Sequence, residues 1–192
     1  MRASEKKIHE FYAALSDAID TPILIQDATM SGIPLPAALL ARMAKEIRQV
    51  SYFKLKTAGA ASRLRELTRL GGEAIEGRWD GEQAITLLPD LDAGATGAMT
   101  GGAYPDSIRR IMDAYSAGHR EEAVAQYTRW LPLINCERRQ GSILTAKALI
   151  REGGIIACKA PRHPFPAMRT EVRKRLLETA RRLDPMVLRW GK

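Results

Sequence analysis

Only two of the 192 residues are cysteine, Cys136 and Cys158, 22 positions apart. Neither belongs to a C-x-x-C pair, and His9, His119 and His163 are scattered, so the clustered ligands that a metal site needs are missing. The two thiols read as small, reduced residues in or near a core. No window approaches 18 uninterrupted apolar residues, which excludes a membrane-spanning helix. Residues 1–20 carry Glu5, Lys6, Lys7 and Glu10 and lack the apolar centre of a signal peptide, so the expected compartment is the cytoplasm. Aromatic residues make up only 6%, and no RNA- or DNA-binding signature is present. The formal charge is nonetheless +8, and much of it is local: Arg162 to Lys192 holds nine Lys/Arg against Glu171, Glu178 and Asp184, a local +6. Without a motif beside it, this patch reads as a solvated helix face. Neither a nucleic acid nor a membrane is expected as a partner.

The remainder is an ordinary globular composition, 45% hydrophobic and 27% charged, of one-domain length with room for a helical annex. Glu5 to Ile19 has one apolar stripe (Ile8, Phe11, Tyr12, Leu15, Ile19) at helical spacing. Ile23-Leu24-Ile25 is a short unalternated apolar run, the pattern of a strand buried on both faces. Gln26 and Asp27 follow, then a loop from Ala28 to Pro34 with Gly32. Leu35 to Ile47 reads as a helix, Val50 to Lys54 as a strand, and Ala60 to Leu70 as a helix stopped by Gly71-Gly72. Ala74 to Glu76 reads as a third strand followed by the loop Gly77 to Gly81, and Glu82 to Ala93 as a helix. Gly94 to Gly102 reads as a strand of small residues that runs into a glycine-rich loop, where backbone can approach a ligand closely. Helix and strand thus alternate with a period near 23 to 26 residues over 1–103, which predicts βα units on a parallel sheet. Amphipathic helices follow at Tyr104–Ala117, His119 to about Arg138, Ser142–Arg151 and Met168–Leu183, with a proline-rich loop at Ala160–Pro166. Trp130 and Trp190 read as packing residues, and His163 as a loop anchor.

Lys54 closes the strand Val50-Ser51-Tyr52-Phe53, and the C-terminal ends of parallel strands are where α/β proteins place chemistry. An amine partly buried there loses charge because water no longer solvates its ammonium form, and a neutral lysine attacks ketones to form a Schiff base. The competing reading is a strand-end lysine that reaches out to solvent. Asp27, at another strand end, reads either as a proton shuttle or as the start of a turn.

Several segments together carry a resemblance: P-I-L-I-Q-D-A at 22–28, Y-F-K at 52–54, G-A-A-S-R-L-R-E-L at 59–67, A-I-E-G-R-W-D-G at 74–81, D-A-G-A-T-G-A-M-T-G-G at 92–102, W-L-P-L-I-N at 130–135 and A-P-R-H-P at 160–164. With them the chain resembles the dihydrodipicolinate synthase / N-acetylneuraminate lyase superfamily, and within it the 2-keto-3-deoxy-L-arabonate dehydratase branch. The resemblance implies an α/β fold: the C-terminal half of a (βα)8 barrel, four βα units over residues 1–117, then a helical annex over 118–192. The four strands correspond to the family's fifth to eighth, and its first four have no counterpart here. Such a half-barrel leaves two open strand edges, and the half that would wall the lysine's pocket is not among these residues.

The resemblance implies that Lys54 is the Schiff-base lysine, and that Gln26, Asp27, Lys56, Glu76, Asp80 and Thr100 contact substrate, with Trp79 on the loop shared by Glu76 and Asp80. The aldolase and synthase branches carry a tyrosine where this chain has Ile25-Gln26-Asp27, which favours dehydration over aldol cleavage. The dehydratase branch usually has an acid two residues after the lysine; this chain has Lys56. As i and i+2 share a strand face, a cation there either depresses the Lys54 pKa, spoils an acid–base role, or points past the strand end to solvent.

The expected function is therefore dehydration of a 2-keto-3-deoxy sugar acid through a lysine iminium, with no metal or organic cofactor. The expected partners are the keto-acid substrate and further copies of the chain in a homo-oligomer. The alternatives are an inactive, truncated relative of such enzymes, and an aldolase or synthase of the same superfamily.

Overall fold

The computed structural model describes residues 3–28, 34–141 and 143–191. Gly32 of the expected loop, Ser142 at the expected helix start and Lys192 of the basic stretch lie outside them. Contacts divide the chain into two compact units, one of residues 1–82 with 89–99 and one of residues 83–88 with 100–192. By compactness α5 (Pro105–Ser116) groups with the later helices, whereas connectivity, the basis for the expected boundary at 117, assigns it to the last βα unit.

In the first unit α1 (Glu5–Ala18), capped by the Ser4 hydroxyl, is followed by β1 (Ile23–Ala28), α2 (Ala37–Glu46), β2 (Val50–Lys56) and α3 (Ala60–Gly71). β3 (Gly77–Asp80) and β4 (Gly97–Ala98) complete a four-stranded parallel sheet in the order β1-β2-β3-β4. Helices α2 and α3 pack on β2 and on each other. Their apolar residues Leu39, Leu40, Met43, Leu64 and Leu67 bury one sheet face with Ile23, Ile25, Val50, Phe53 and Leu55. Gly59 opens α3 at φ +74° and Gly72 ends it at φ +55°, backbone that glycine adopts without strain. A register shift opposite Ile23/Leu24 sets Val50 and Phe53, three apart, on the same buried face.

Four expectations are corrected. β1 is not buried on both faces: Ile23, Ile25 and Asp27 are buried while Leu24 and Gln26 are exposed, because helices cover only one side. The third strand is Gly77–Asp80, not Ala74–Glu76; Gly72–Ala74 is a 3-10 turn continuing from α3. The fourth helix, α4, spans only Leu87–Asp92, because Gln83 and Ala84 adopt left-handed backbone (φ +61° and +66°) that no helix tolerates. Trp190 is 63% exposed and packs little, whereas Trp130 is buried as expected.

The second unit is helical. α5 and α6 (Arg120–Cys136) form a hairpin turning at Gly118, φ +79°. α6 runs into a π-helical turn at Glu137–Gly141, followed by α7 (Ile143–Glu152) and α8 (Thr170–Leu183). Ile108, Ile111, Trp130, Leu133, Ile134, Leu149 and Leu176 supply its core. The basic residues of α8 are a solvated face with two exceptions: Arg173 and Arg181 clamp Glu152 of α7 at 3.2 and 2.8 Å.

Candidate active site

Strand parity decides what meets Lys54. Tyr52, Lys54 and Lys56 alternate onto the sheet face that the helices leave uncovered, and register puts Gln26 of β1 on one side of Lys54 and Trp79 of β3 on the other. The two lysines and Trp79 are half-buried and Gln26 is exposed. The Trp79 indole occupies the space over two glycines of the sheet, Gly77 and Gly97. A methyl at Gly77 would sit 2.5 Å from its ring, and one at Gly97 2.4 Å from its Nε1. Those glycines leave room for the indole. Tyr52 meets it from β2 at the Gly77 end, with ring centroids 5.5 Å apart.

Lys54 makes no hydrogen bond or ion pair among the described residues. Partial burial depresses its amine pKa below the usual lysine value, the Lys56 ammonium depresses it further, and the Asp80 carboxylate opposes both. β2 runs two residues beyond its expected end, so Lys56 is a strand residue held beside Lys54 rather than a loop residue. Gly81 closes the strand end, its N–H donating to Leu55 O at 2.9 Å.

The other expected site residues are distributed differently. Asp27 and Asp80 face the helix-covered side, because register pairs them with Leu55 and not with Lys54 or Lys56. Asp27 is buried, receives the Arg63 guanidinium at 2.6 Å and accepts the Leu35 N–H at 3.2 Å. Arg63 also binds Thr57 Oγ1 and Leu35 O, so Asp27 fastens the chain after β1 to the start of α3. Asp80 Oδ1 accepts the Glu82 N–H at 2.7 Å. With β3 shifted along the chain, Glu76 precedes the strand and meets the N-terminal part of β2, where the Tyr52 hydroxyl donates to it at 2.6 Å. Thr100 belongs to the second unit, its hydroxyl donating to Gly101 O at 3.2 Å.

Three buried acids went unread in the sequence: Glu82, Asp90 and Glu137. Glu82 ends the W-D-G-E run just after β3 and is 7% exposed. Glu137, 1% exposed, sits in the second unit with its Oε1 against Gly101, where a methyl would come within 1.7 Å. Burial raises the Glu137 pKa, opposed by the Tyr104 hydroxyl. Nothing in the spacing of the sequence marked these acids as buried.

The family model described as "Dihydrodipicolinate synthetase family" matches residues 1–183. An L-2-keto-3-deoxyarabonate dehydratase of Azospirillum brasilense is 63% identical over 190 residues, which is 99% of this chain and 62% of that protein. A 4-hydroxy-tetrahydrodipicolinate synthase of Corynebacterium jeikeium is 28% identical over 160 residues, 80% of this chain and 50% of that one. Among solved structures, the dihydrodipicolinate synthase of Aquifex aeolicus superposes with TM-score 0.88 at 18% identity, over 96% of this chain and 62% of that one. The chain thus spans less than two thirds of the length of each of these relatives, and its four strands and helices are part of a (βα)8-barrel fold.

Proposed function

The chain belongs to the dihydrodipicolinate synthetase family, and we propose that it carries the Schiff-base lysine of a hydro-lyase acting on a 2-keto-3-deoxy sugar acid. Lys54 is the nucleophile. Its unprotonated amine adds to the C2 ketone and water leaves, giving an iminium. The iminium draws electrons as the C3 proton departs, and the C4 hydroxyl leaves as a second water. A proton shift from C5 and hydrolysis of the imine then release a 2-oxoglutarate semialdehyde and regenerate Lys54. Protein groups alone supply this chemistry. The residues we assign to substrate contact are Gln26, opposite Lys54 in register, and Lys56, two residues on along the same strand face; Asp27, Asp80, Glu76 and Thr100, which the resemblance also implied, are held elsewhere by the contacts described above. In the same reading residues 1–117 are the barrel half and 118–192 the helical annex, and the working form is a homo-oligomer.

The observation that carries the proposal is the placing of Lys54, on the uncovered sheet face between Gln26 and Trp79 in register and without a hydrogen-bond or ion-pair partner among the described residues; partial burial acts in the same sense by lowering its pKa. The 63% identity to a dehydratase supports the choice of reaction. The test is borohydride reduction of the purified chain after incubation with pyruvate and, separately, with 2-keto-3-deoxyarabonate, read by intact mass. The expected result is an adduct on Lys54 that is absent from Lys54→Ala. Folded protein that gives no adduct would leave the chain as an inactive relative, and release of pyruvate from the sugar acid would make it an aldolase.

A further inference from the structure

The uncovered sheet face carries two amines where an imine-forming site needs one. Lys54 and Lys56 stand two residues apart on β2, so their Cα atoms are about 6.6 Å apart and their stems are long enough to converge. Both are half-buried, and neither makes a hydrogen bond or ion pair among the described residues. No carboxylate separates them: Asp27 and Asp80 face the opposite side, level with Leu55 in register, and Glu76 accepts the Tyr52 hydroxyl one pleat earlier. Small residues flank Lys56. Its register partner on β1 is Ala28, and a methyl on Gly81 would sit 2.9 Å from the Lys56 Cβ. No bulky or acidic neighbour draws its stem away from Lys54, and its ammonium is close enough to lower the Lys54 pKa.

The reaction proposed above creates a second carbonyl. While C2 is still bonded to Lys54, loss of the C4 hydroxyl and the proton shift from C5 leave an aldehyde at C5, three bonds from C2. We infer that Lys54 and Lys56 form a two-amine site for 1,4-dicarbonyl compounds, Lys54 bonding the ketone carbon and Lys56 the aldehyde carbon of one molecule. The inference rests on the Schiff-base reading of Lys54. At each end the unprotonated amine adds to the carbonyl carbon and the carbonyl oxygen leaves as water. Two C=N bonds form, two waters are released, and nothing is oxidised or reduced. The second bond gains from the first, because the aldehyde is already tethered beside the second amine. Attachment at both ends also holds the molecule longer than attachment at one, since either imine re-forms while the other persists. A 2-oxo acid with a single carbonyl engages Lys54 alone.

The probes are pyruvate and 2-oxoglutarate semialdehyde, each incubated with the purified chain and reduced with cyanoborohydride, which reduces imines and leaves carbonyls intact. The expected semialdehyde adduct has lost both carbonyl oxygens and maps to one peptide in which Lys54 and Lys56 are both modified. In a second arm the mixture is diluted before reduction, and the label that survives is compared with the label left by pyruvate. The semialdehyde-to-pyruvate ratio is expected to fall about tenfold or more in Lys56→Met and equally in Lys56→Arg, which keeps the positive charge but forms no imine. Three results would overturn the inference and leave the Schiff-base reading standing: an adduct on Lys54 that keeps its aldehyde oxygen, closure of both carbonyls onto the Lys54 nitrogen alone as a pyrrole, or a ratio unchanged in Lys56→Arg. If neither probe is trapped on Lys54, the Schiff-base reading fails and the two-amine site fails with it.

Discussion

A lysine amine attacks a ketone only while unprotonated, so everything that removes charge from Lys54 acts directly on its usefulness. Burial and the Lys56 ammonium both lower its pKa. Trapping with hydroxyacetone is therefore expected to rise with pH to a midpoint below the ordinary lysine value. Lys56→Met shifts that midpoint upward; a pH profile of the adduct rate reads both. The same shift has a stability consequence whose sign is opposite to that of a paired lysine. Between the folded and unfolded pKa values the unfolded chain binds the extra proton, so stability rises with pH through that window and the penalty is fully present below it. Lys54→Met removes that penalty and is expected to raise the denaturant midpoint at neutral pH. Asp27 stabilises instead through its ion pair with Arg63. Asp27→Ala leaves Arg63 unpaired in a site where its side chain is 16% exposed. The expected loss is about 3–5 kcal/mol, measured by equilibrium unfolding, and a loss under 1 kcal/mol would refute the anchoring role.

At the level of strands and helices, the periodic elements were legible. The stripe of α1, the run before Lys54 and the glycines that stop α3 each state their structure through a local rule, and those elements form where expected. The third strand was not legible, because Gly77-Arg78-Trp79-Asp80 carries neither alternation nor β-branched residues. It is a strand because Trp79 fits over two glycines that come from β3 itself and from β4, a fit no single-segment pattern contains. Likewise Lys54 could be picked out in the sequence, but the face taken by Asp27 and Asp80 depends on register between strands, which spacing within a strand does not encode. The Trp79 fit is testable. Gly97→Ala places a methyl 2.4 Å from the indole Nε1, and such overpacking is expected to cost about 1–3 kcal/mol. Trp79→Leu in the same chain should recover most of it, and additive effects in thermal melting would show that the contact is not what holds the glycine.

Across the whole molecule, β1 and β4 lie at the two ends of the sheet, and each leaves one row of backbone groups without a strand partner among the described residues. Parallel sheets are ordinarily covered on both faces and closed or capped at their edges, yet here one face holds exposed Leu24 and Gln26. The isolated 192-residue chain is therefore expected to self-associate with rising concentration. Sedimentation velocity over a hundredfold dilution is the measurement. A sharp monomer at every concentration would mean that these edges are protected by means other than another strand. In the helical unit α8 turns charged residues outward over a buried Leu176-Leu177-Ala180 stripe, while Ile143, Phe165 and Trp190 stand exposed.

The indole that sits over Gly77 and Gly97 also makes the chain its own optical instrument. Of the three tryptophans, Trp130 is sealed in the helical unit and Trp190 is 63% exposed, whereas Trp79 borders Lys54 in register. Its emission is thus the one placed to change colour and intensity when the neighbouring amine is capped. Occupancy of Lys54 can be followed in real time, without a label, in a chain where Trp130 and Trp190 are replaced by phenylalanine.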